Sequence, residues 1–158
     1  MKKLVYLISP NKIHNDFYDN LKKVLSKKNV NFFQLRLKKI KKNKIIKIAK
    51  KVKKITKKYK VKLIINDNIN TAKIVDADGC HLGQKDMNIS KARKIIGKKI
   101  IGITCHNSIK LAKAAIKNKA DYIAFGAFNS SKTKKVKYKA MIEKNNNIAN
   151  KLPKNTPK

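Results

Sequence analysis

Short apolar runs alternate with amphipathic stretches along most of this chain. The runs are LVYLIS (4–9), NFFQLRL (31–37), VKLIIN (61–66), DGCHL (78–82), IIGITC (100–105) and DYIAFG (121–126). Runs of this length, bounded by polar clusters, predict strands buried on both faces, as in a parallel sheet. Between them, apolar residues recur three and four apart. Phe17, Leu21, Val24 and Leu25 form one such stripe, Ile45, Ile48, Ala49, Val52 and Ile55 a second, and Leu111, Ala112, Ala115 and Ile116 a third. That spacing predicts helices with one buried face. Shorter helices are predicted over 68–75 and 90–96, with Ser90 capping the latter and Ser108 the helix after the fifth strand. Read alone, Asp67 is as much a candidate helix N-cap as a site residue, and Asp86 as much a turn residue as a site residue.

Strands recur every 20 to 30 residues, as βα units require. Right-handed crossovers curl such a sheet consistently in one direction, giving a doubly wound sheet or a barrel. The first strand is followed by ISPNKIHND (8–16), without a Gly-rich turn, which argues against a dinucleotide fold. Polar clusters follow at least four strands, which favours a barrel over a single crevice. The expected fold class is therefore α/β, of the (β/α)8 TIM-barrel type, as one domain over 1–158. A full barrel has eight strands and about 250 residues. Six βα units are counted here, so an incomplete barrel lacking the last two strands is expected. The segment 138–158 is expected to hold a sixth helix, with a fraying polar tail over 145–158.

Charge changes the picture less than its size suggests. The formal net charge is +34, but 40 of the 42 basic residues are Lys, and only Arg36 and Arg93 are Arg. Arg is the preferred residue for bidentate phosphate and base contacts. Lysines spread along the chain, alongside abundant Asn and Ile, fit an A/T-rich codon bias. No specific nucleic-acid partner is expected. Hydrophobic residues make up 42% of the chain, enough for a core. Acids are scarce: Asp16, Asp19, Asp67, Asp76, Asp78, Asp86, Asp121 and Glu143. Cys80 and Cys105 have no metal-ligand spacing and read as reduced, buried thiols. The apolar stretch Leu4–Ile8 is too short for a signal core or a membrane span, so a cytoplasmic protein is expected, with no membrane partner.

The strand ends carry the candidate chemistry. They supply Arg36 and Lys38, then Asn66 and Asp67, then Asp86, then Lys134. Cations and carboxylates converging on one rim suit a diphosphate accompanied by Mg²⁺.

At these positions the chain resembles the thiamine phosphate synthase family. QLRLK (34–38) resembles its QxRxK element, and IND (65–67) its metal-bearing strand end. ADGCHLGQKD (77–86) resembles the long ADGxHLGQxD signature, GITCH (102–106) the GxSxH element and GAFNSSKTK (126–134) the GPxxxTxTK loop. The resemblance implies a transferase. Hydroxymethylpyrimidine diphosphate loses pyrophosphate, a thiazole phosphate nitrogen attacks the methylene carbon, and thiamine phosphate forms. It implies that Gln34 and Asn66 hold the pyrimidine and that Arg36, Lys38 and Lys134 bind the diphosphate as catalytic cations. Asp67 and Asp86 would ligate Mg²⁺. Thr104 stands where the family usually has Ser near the substrate, and Ser131 and Thr133 stand in the thiazole-phosphate loop.

Several positions depart from the family pattern. Ser131 replaces a Thr, Ala127 a Pro, and Leu37 an acid whose side chain should alternate away from the site. The family's Gly-rich segments after its seventh and eighth strands have no expected counterpart here. A homo-oligomer or a complementing chain is therefore the expected partner, beside the small-molecule substrates. A related branch, thiazole tautomerase, uses a His near the fifth strand end, which makes His106 a proton shuttle in the alternative reading. An inactive or split homologue is the third reading. His81 is expected to be a structural histidine, and Gly83, Gly102 and Gly126 to serve backbone geometry at strand ends.

Overall fold

Strands and helices alternate strictly through the computed structural model, which describes residues 4–27 and 29–126. The strands are β1 (Val5–Ile8), β2 (Val30–Leu35), β3 (Lys62–Asn66), β4 (Gly79–Leu82), β5 (Ile100–His106) and β6 (Tyr122–Phe125). The helices between them are α1 (Phe17–Leu25), α2 (Lys42–Lys58), α3 (Ile69–Ile74), α4 (Ile89–Ile96) and α5 (Ile109–Lys117). The strands form one six-stranded parallel sheet in the order β1-β2-β3-β4-β5-β6. Sequential neighbours throughout make this a half-barrel of the TIM type, not a doubly wound sheet, whose order reverses at a switch point.

Period-two alternation divides each strand between two environments. Phe33, Leu35, Leu63, Ile65, Cys80, Leu82, Ile101, Ile103 and Cys105 point outward and form the main core with the helices. The three predicted stripes reach the core through Leu21 and Leu25 of α1, Ile48, Ala49 and Val52 of α2, and Ala112 and Ala115 of α5, whereas Val24, expected in the α1 stripe, is exposed. Each large aliphatic side chain buried this way contributes about 1.5–3 kcal/mol. Cys80 and Cys105 are free thiols in this layer, as expected. Leu37 is also buried there, turned away from the rim.

The inner face is different. It carries Tyr6, Phe32, Gln34, Ile64, Asn66, His81, Thr104 and Tyr122, mostly polar or aromatic. The register places Asn66 beside His81, His81 beside Gly102, and Gly102 beside Tyr122.

Three local expectations need correction. Ser90 does not cap α4; Asn88 does, its side chain accepting the Ser90 amide at 2.8 Å. Asp67 does not cap α3; the next residue, Asn68, accepts the Thr71 amide at 2.8 Å. Gly102 lies inside β5, not at a strand end. A Cβ there would stand 1.9 Å from Cζ of Tyr122, so close approach of a ring, not backbone freedom, requires glycine. Ser108 does cap α5, accepting the Leu111 amide at 3.3 Å. Position decides both caps: Asn88 and Asn68 directly precede the first helical residues Ile89 and Ile69, whereas Ser90 already lies inside α4 and Asp67 lies one residue before the cap of α3. The expected sixth helix and the tail over 145–158 lie outside the described residues.

Candidate active site

The C-terminal ends of β2, β3, β4 and β5 meet on one rim. From β2, the buried Gln34 donates through Nε2 to Oδ1 of Asn66 at 3.0 Å. This hydrogen bond turns two neighbouring amides into one edge. Gln34 keeps its carbonyl as an acceptor and Asn66 keeps its NH₂ as a donor.

Beyond the end of β2, Arg36 and Lys38 separate. The Arg36 backbone amide donates to Oγ of Ser9 at 2.9 Å, and its guanidinium to Oδ1 of Asn11 at 2.9 Å. The chain after β1 thus anchors the arginine at the rim. Lys38 instead pairs with the Asp67 carboxylate across the gap between β2 and β3.

Asp67 follows β3 in a left-handed conformation, φ +63°. Its amide donates to the carbonyl of His81 at 2.8 Å, which stitches the strand end to β4. A non-glycine residue at positive φ is strained and is held only where its surroundings demand it. Here the turn aims the carboxylate back over the rim instead of into the cap of α3. Asp86 reaches the same place from the loop after β4. Its Oδ2 accepts the Gly83 amide at 2.7 Å. Partial burial raises the Asp86 carboxyl above the usual carboxylate range, and the neighbouring Asp67 raises it further, against the Gly83 amide and Lys38. The buried Cys80 thiol beneath is pushed up by burial and by the same two carboxylates. Two like charges brought together at a rim, with one cation beside them, make a natural seat for a divalent ion. No cluster of three or more His, Cys, Asp or Glu ligands occurs among the described residues. Two carboxylates nonetheless fit Mg²⁺, which usually takes one or two, with water and substrate phosphate completing its shell.

Thr104 of β5 is hydrogen-bonded to Nε2 of His81 at 2.9 Å, and Nδ1 of His81 to the Tyr122 hydroxyl at 2.9 Å. Tyr122 in turn meets the Tyr6 hydroxyl at 2.7 Å. His81 is therefore embedded in hydrogen bonds, as expected. His106 ends β5 at φ +54°. Ser131, Thr133 and Lys134 lie outside the described residues.

Asp78 and Asp121 mark the opposite end. Asp78 accepts the Leu63 amide at 2.9 Å and pairs with Lys53 at 2.8 Å. Asp121 accepts the Ile101 amide at 2.7 Å and pairs with Arg93 at 2.6 Å. These acids close the strand starts and leave Asp67 and Asp86 for the rim. Sequence reasoning missed Ser9, Asn11, Tyr6 and Tyr122. The tyrosines were visible only as polar-tipped residues inside apolar runs, and nothing in the spacing paired them.

Comparison with known proteins fits this geometry. Residues 5–157 match the family model described as thiamine monophosphate synthase. The thiamine-phosphate synthase of Pelagibacter ubique (strain HTCC1062) is 64% identical over 143 residues, covering 89% of this chain and 69% of the relative. That of Halalkalibacterium halodurans is 48% identical over 106 residues, 66% of this chain and 50% of the relative. Among solved structures, the thiamine phosphate pyrophosphorylase of Pyrococcus furiosus superimposes with a TM-score of 0.82 at 25% identity, covering 95% of this chain and 71% of that one. The chain thus spans between half and about seven tenths of these relatives.

Proposed function

The chain belongs to the thiamine monophosphate synthase family of thiamine-biosynthesis transferases, and on that footing we propose that it joins hydroxymethylpyrimidine diphosphate to a thiazole phosphate, releasing pyrophosphate and forming thiamine phosphate. The observation that carries this reading is the rim itself: an amide pair, Gln34 with Asn66, beside a charged group of Lys38, Asp67 and Asp86.

Each part has a role in the reaction. The free carbonyl of Gln34 and the free NH₂ of Asn66 offer one acceptor and one donor side by side. An aminopyrimidine edge presents the complementary pair, an amino donor and a ring-nitrogen acceptor. Arg36 and Lys38, beyond the end of β2, are the cations that would meet a diphosphate attached to that ring. The leaving group departs as an anion, so fixed positive charge stabilises the transition state more than the ground state. The carboxylates of Asp67 and Asp86 would hold Mg²⁺, whose charge offsets that of the diphosphate. Lys38, paired with Asp67 in this structure, would be available to a phosphate oxygen where Mg²⁺ takes up that carboxylate. The attacking thiazole nitrogen is neutral and carries no proton, so no general base is required. Lys134, Ser131 and Thr133 complete the phosphate contacts in this reading.

The tautomerase alternative is not favoured by the relatives, which are named thiamine-phosphate synthases. A barrel of the (β/α)8 type, of which the described residues supply six strands and five helices, is the finer fold class we infer. No helix among the described residues is long and apolar enough to cross a membrane; a cytoplasmic location is part of the proposal. A second copy or a complementing chain against the outer edge of β1, where Leu4 and Ile8 are 60% and 56% exposed, belongs to the same proposal.

The test is direct. Purified protein is supplied with both substrates, with Mg²⁺ and then with EDTA. Metal-dependent thiamine phosphate supports the reading. A soluble, folded chain that makes no product under either condition overturns it.

A further inference from the structure

Four residues on the inner face form a continuous hydrogen-bonded line: Tyr6 on β1, Tyr122 on β6, His81 on β4 and Thr104 on β5. The sense of this line, which atom donates at each step, decides what Thr104 can offer a ligand.

Donor and acceptor counting favours one sense. A hydroxyl has one donor and two acceptor sites, and a neutral imidazole has one of each. The Tyr6 hydroxyl has Tyr122 as its hydrogen-bond partner among the described residues. If Tyr122 donated to Tyr6, the half-buried Tyr6 O–H would have no acceptor among the described residues. If Tyr6 donates to Tyr122, only spare lone pairs are left over, which proteins tolerate better than an unpaired donor. Tyr122, having accepted, then donates its own O–H to Nδ1 of His81. That places the imidazole proton on Nε2, which donates to Oγ1 of Thr104. The Thr104 proton is then free to point elsewhere. Burial keeps both tyrosines in the O–H form: Tyr6 is pushed up to about 12, and Tyr122 is raised by burial and by Tyr6 beside it.

We propose that His81 is a positioning residue: held by Tyr122 as the Nε2–H tautomer, it donates to Thr104 and so turns the Thr104 hydroxyl into a donor toward an acceptor atom of the bound pyrimidine diphosphate. The opposite tautomer would consume the Thr104 proton and leave only lone pairs facing the ligand. The substrate in this statement rests on the thiamine phosphate synthase reading; the tautomer does not.

Side-chain ¹⁵N–¹H correlation spectra of the full chain separate the two tautomers without turnover. The expected His81 signature at neutral pH is a protonated Nε2 and a bare, pyridine-like Nδ1. Tyr122→Phe keeps the ring beside Gly102 and removes only the hydroxyl, so the fold is retained. In that variant His81 should shift to a mixture of tautomers. kcat should fall about tenfold, the effect of one lost hydrogen bond, with KM changed less than about twofold. Tyr6→Phe should preserve the tautomer, because Tyr122 still donates to His81. A protonated Nδ1, or an imidazolium, in the unmodified chain overturns the proposal. So does a Tyr122→Phe variant with unaltered tautomer and kcat. A chain with the expected tautomer and no turnover would overturn the functional reading and the substrate contact, while leaving the line's sense established.

Discussion

The hydroxyls of Tyr6 and Tyr122 lie 2.7 Å apart although the residues stand 116 positions apart, on the two outer strands of the described sheet. Their rings meet edge to face, with centroids 5.8 Å apart. Curvature of the sheet brings β1 and β6 together across the interior with no backbone pairing between them. Tyr122 also stacks on His81, with ring centroids 5.5 Å apart, so one side chain ties the sheet's edge to its middle.

Space for that ring comes from Gly102. Gly102→Ala would drive a methyl group to 1.9 Å from Cζ of Tyr122. Overpacking of this kind costs about 3 kcal/mol. The expected result is an earlier urea midpoint with an unchanged slope. Combined with Tyr122→Leu, the loss should be smaller than the sum of the two single losses, because the clash is removed with the ring.

Asp67 combines strain with function. At φ +63°, Asp67→Gly should be more stable than Asp67→Ala by about 1 kcal/mol, read by chemical denaturation. Both variants should lose Mg²⁺-dependent product formation, as should Asp86→Ala. Undiminished rates in either position would remove these carboxylates from the proposed site.

Asp78 and Asp121 serve the fold. Replacing either by Ala leaves a strand amide, that of Leu63 or Ile101, without its acceptor, and removes an ion pair with Lys53 or Arg93. A loss of about 2 kcal/mol is expected for each in thermal or urea unfolding. Neither carboxylate lies at the rim, so kcat of the folded fraction should hold.

The acid limb of stability should follow Asp78. Burial alone would raise this carboxyl, but the Lys53 hydrogen bond, the Leu63 amide and the charges of Lys53 and Lys62 together hold it below its usual 3.8. A carboxyl lowered on folding binds its proton more weakly in the native state. Its contribution is present above the unfolded value and is lost as pH falls through the folded one. Stability should therefore decline below about pH 4, and Asp78→Asn should flatten that decline in melting curves taken across the range.

Net charge makes a separate prediction. At +34, like charges repel across the whole surface, and the ion pair of Lys22 with Asp19 is too exposed to offset much of that repulsion. Raising NaCl from about 0.05 to 0.3 M should raise the melting temperature, because screening removes more repulsion than attraction.

Much of this protein follows from local sequence. Apolar runs such as VKLIIN and helical stripes such as Ile48, Ala49 and Val52 identify the elements, because strand and helix periods are set by backbone geometry within a few residues. The rim residues Arg36, Lys38, Asn66, Asp67 and Asp86 were legible for the same reason: parallel strands share one direction, so their ends gather at one face; Gln34 was legible only through the family resemblance. Tertiary structure alone decided the rest. It chose Asn68 over Asp67 as the cap of α3, which freed the Asp67 carboxylate. It divided the scarce acids, sending Asp78 and Asp121 to strand amides and Asp67 and Asp86 to the rim. It joined Tyr6 to Tyr122 and His81 to Thr104, contacts between strands whose separation along the chain carries no trace of their distance in space. Sheet curvature sets that distance, and curvature is the sum of every strand's twist and every helix's packing, a property that no short stretch of sequence possesses.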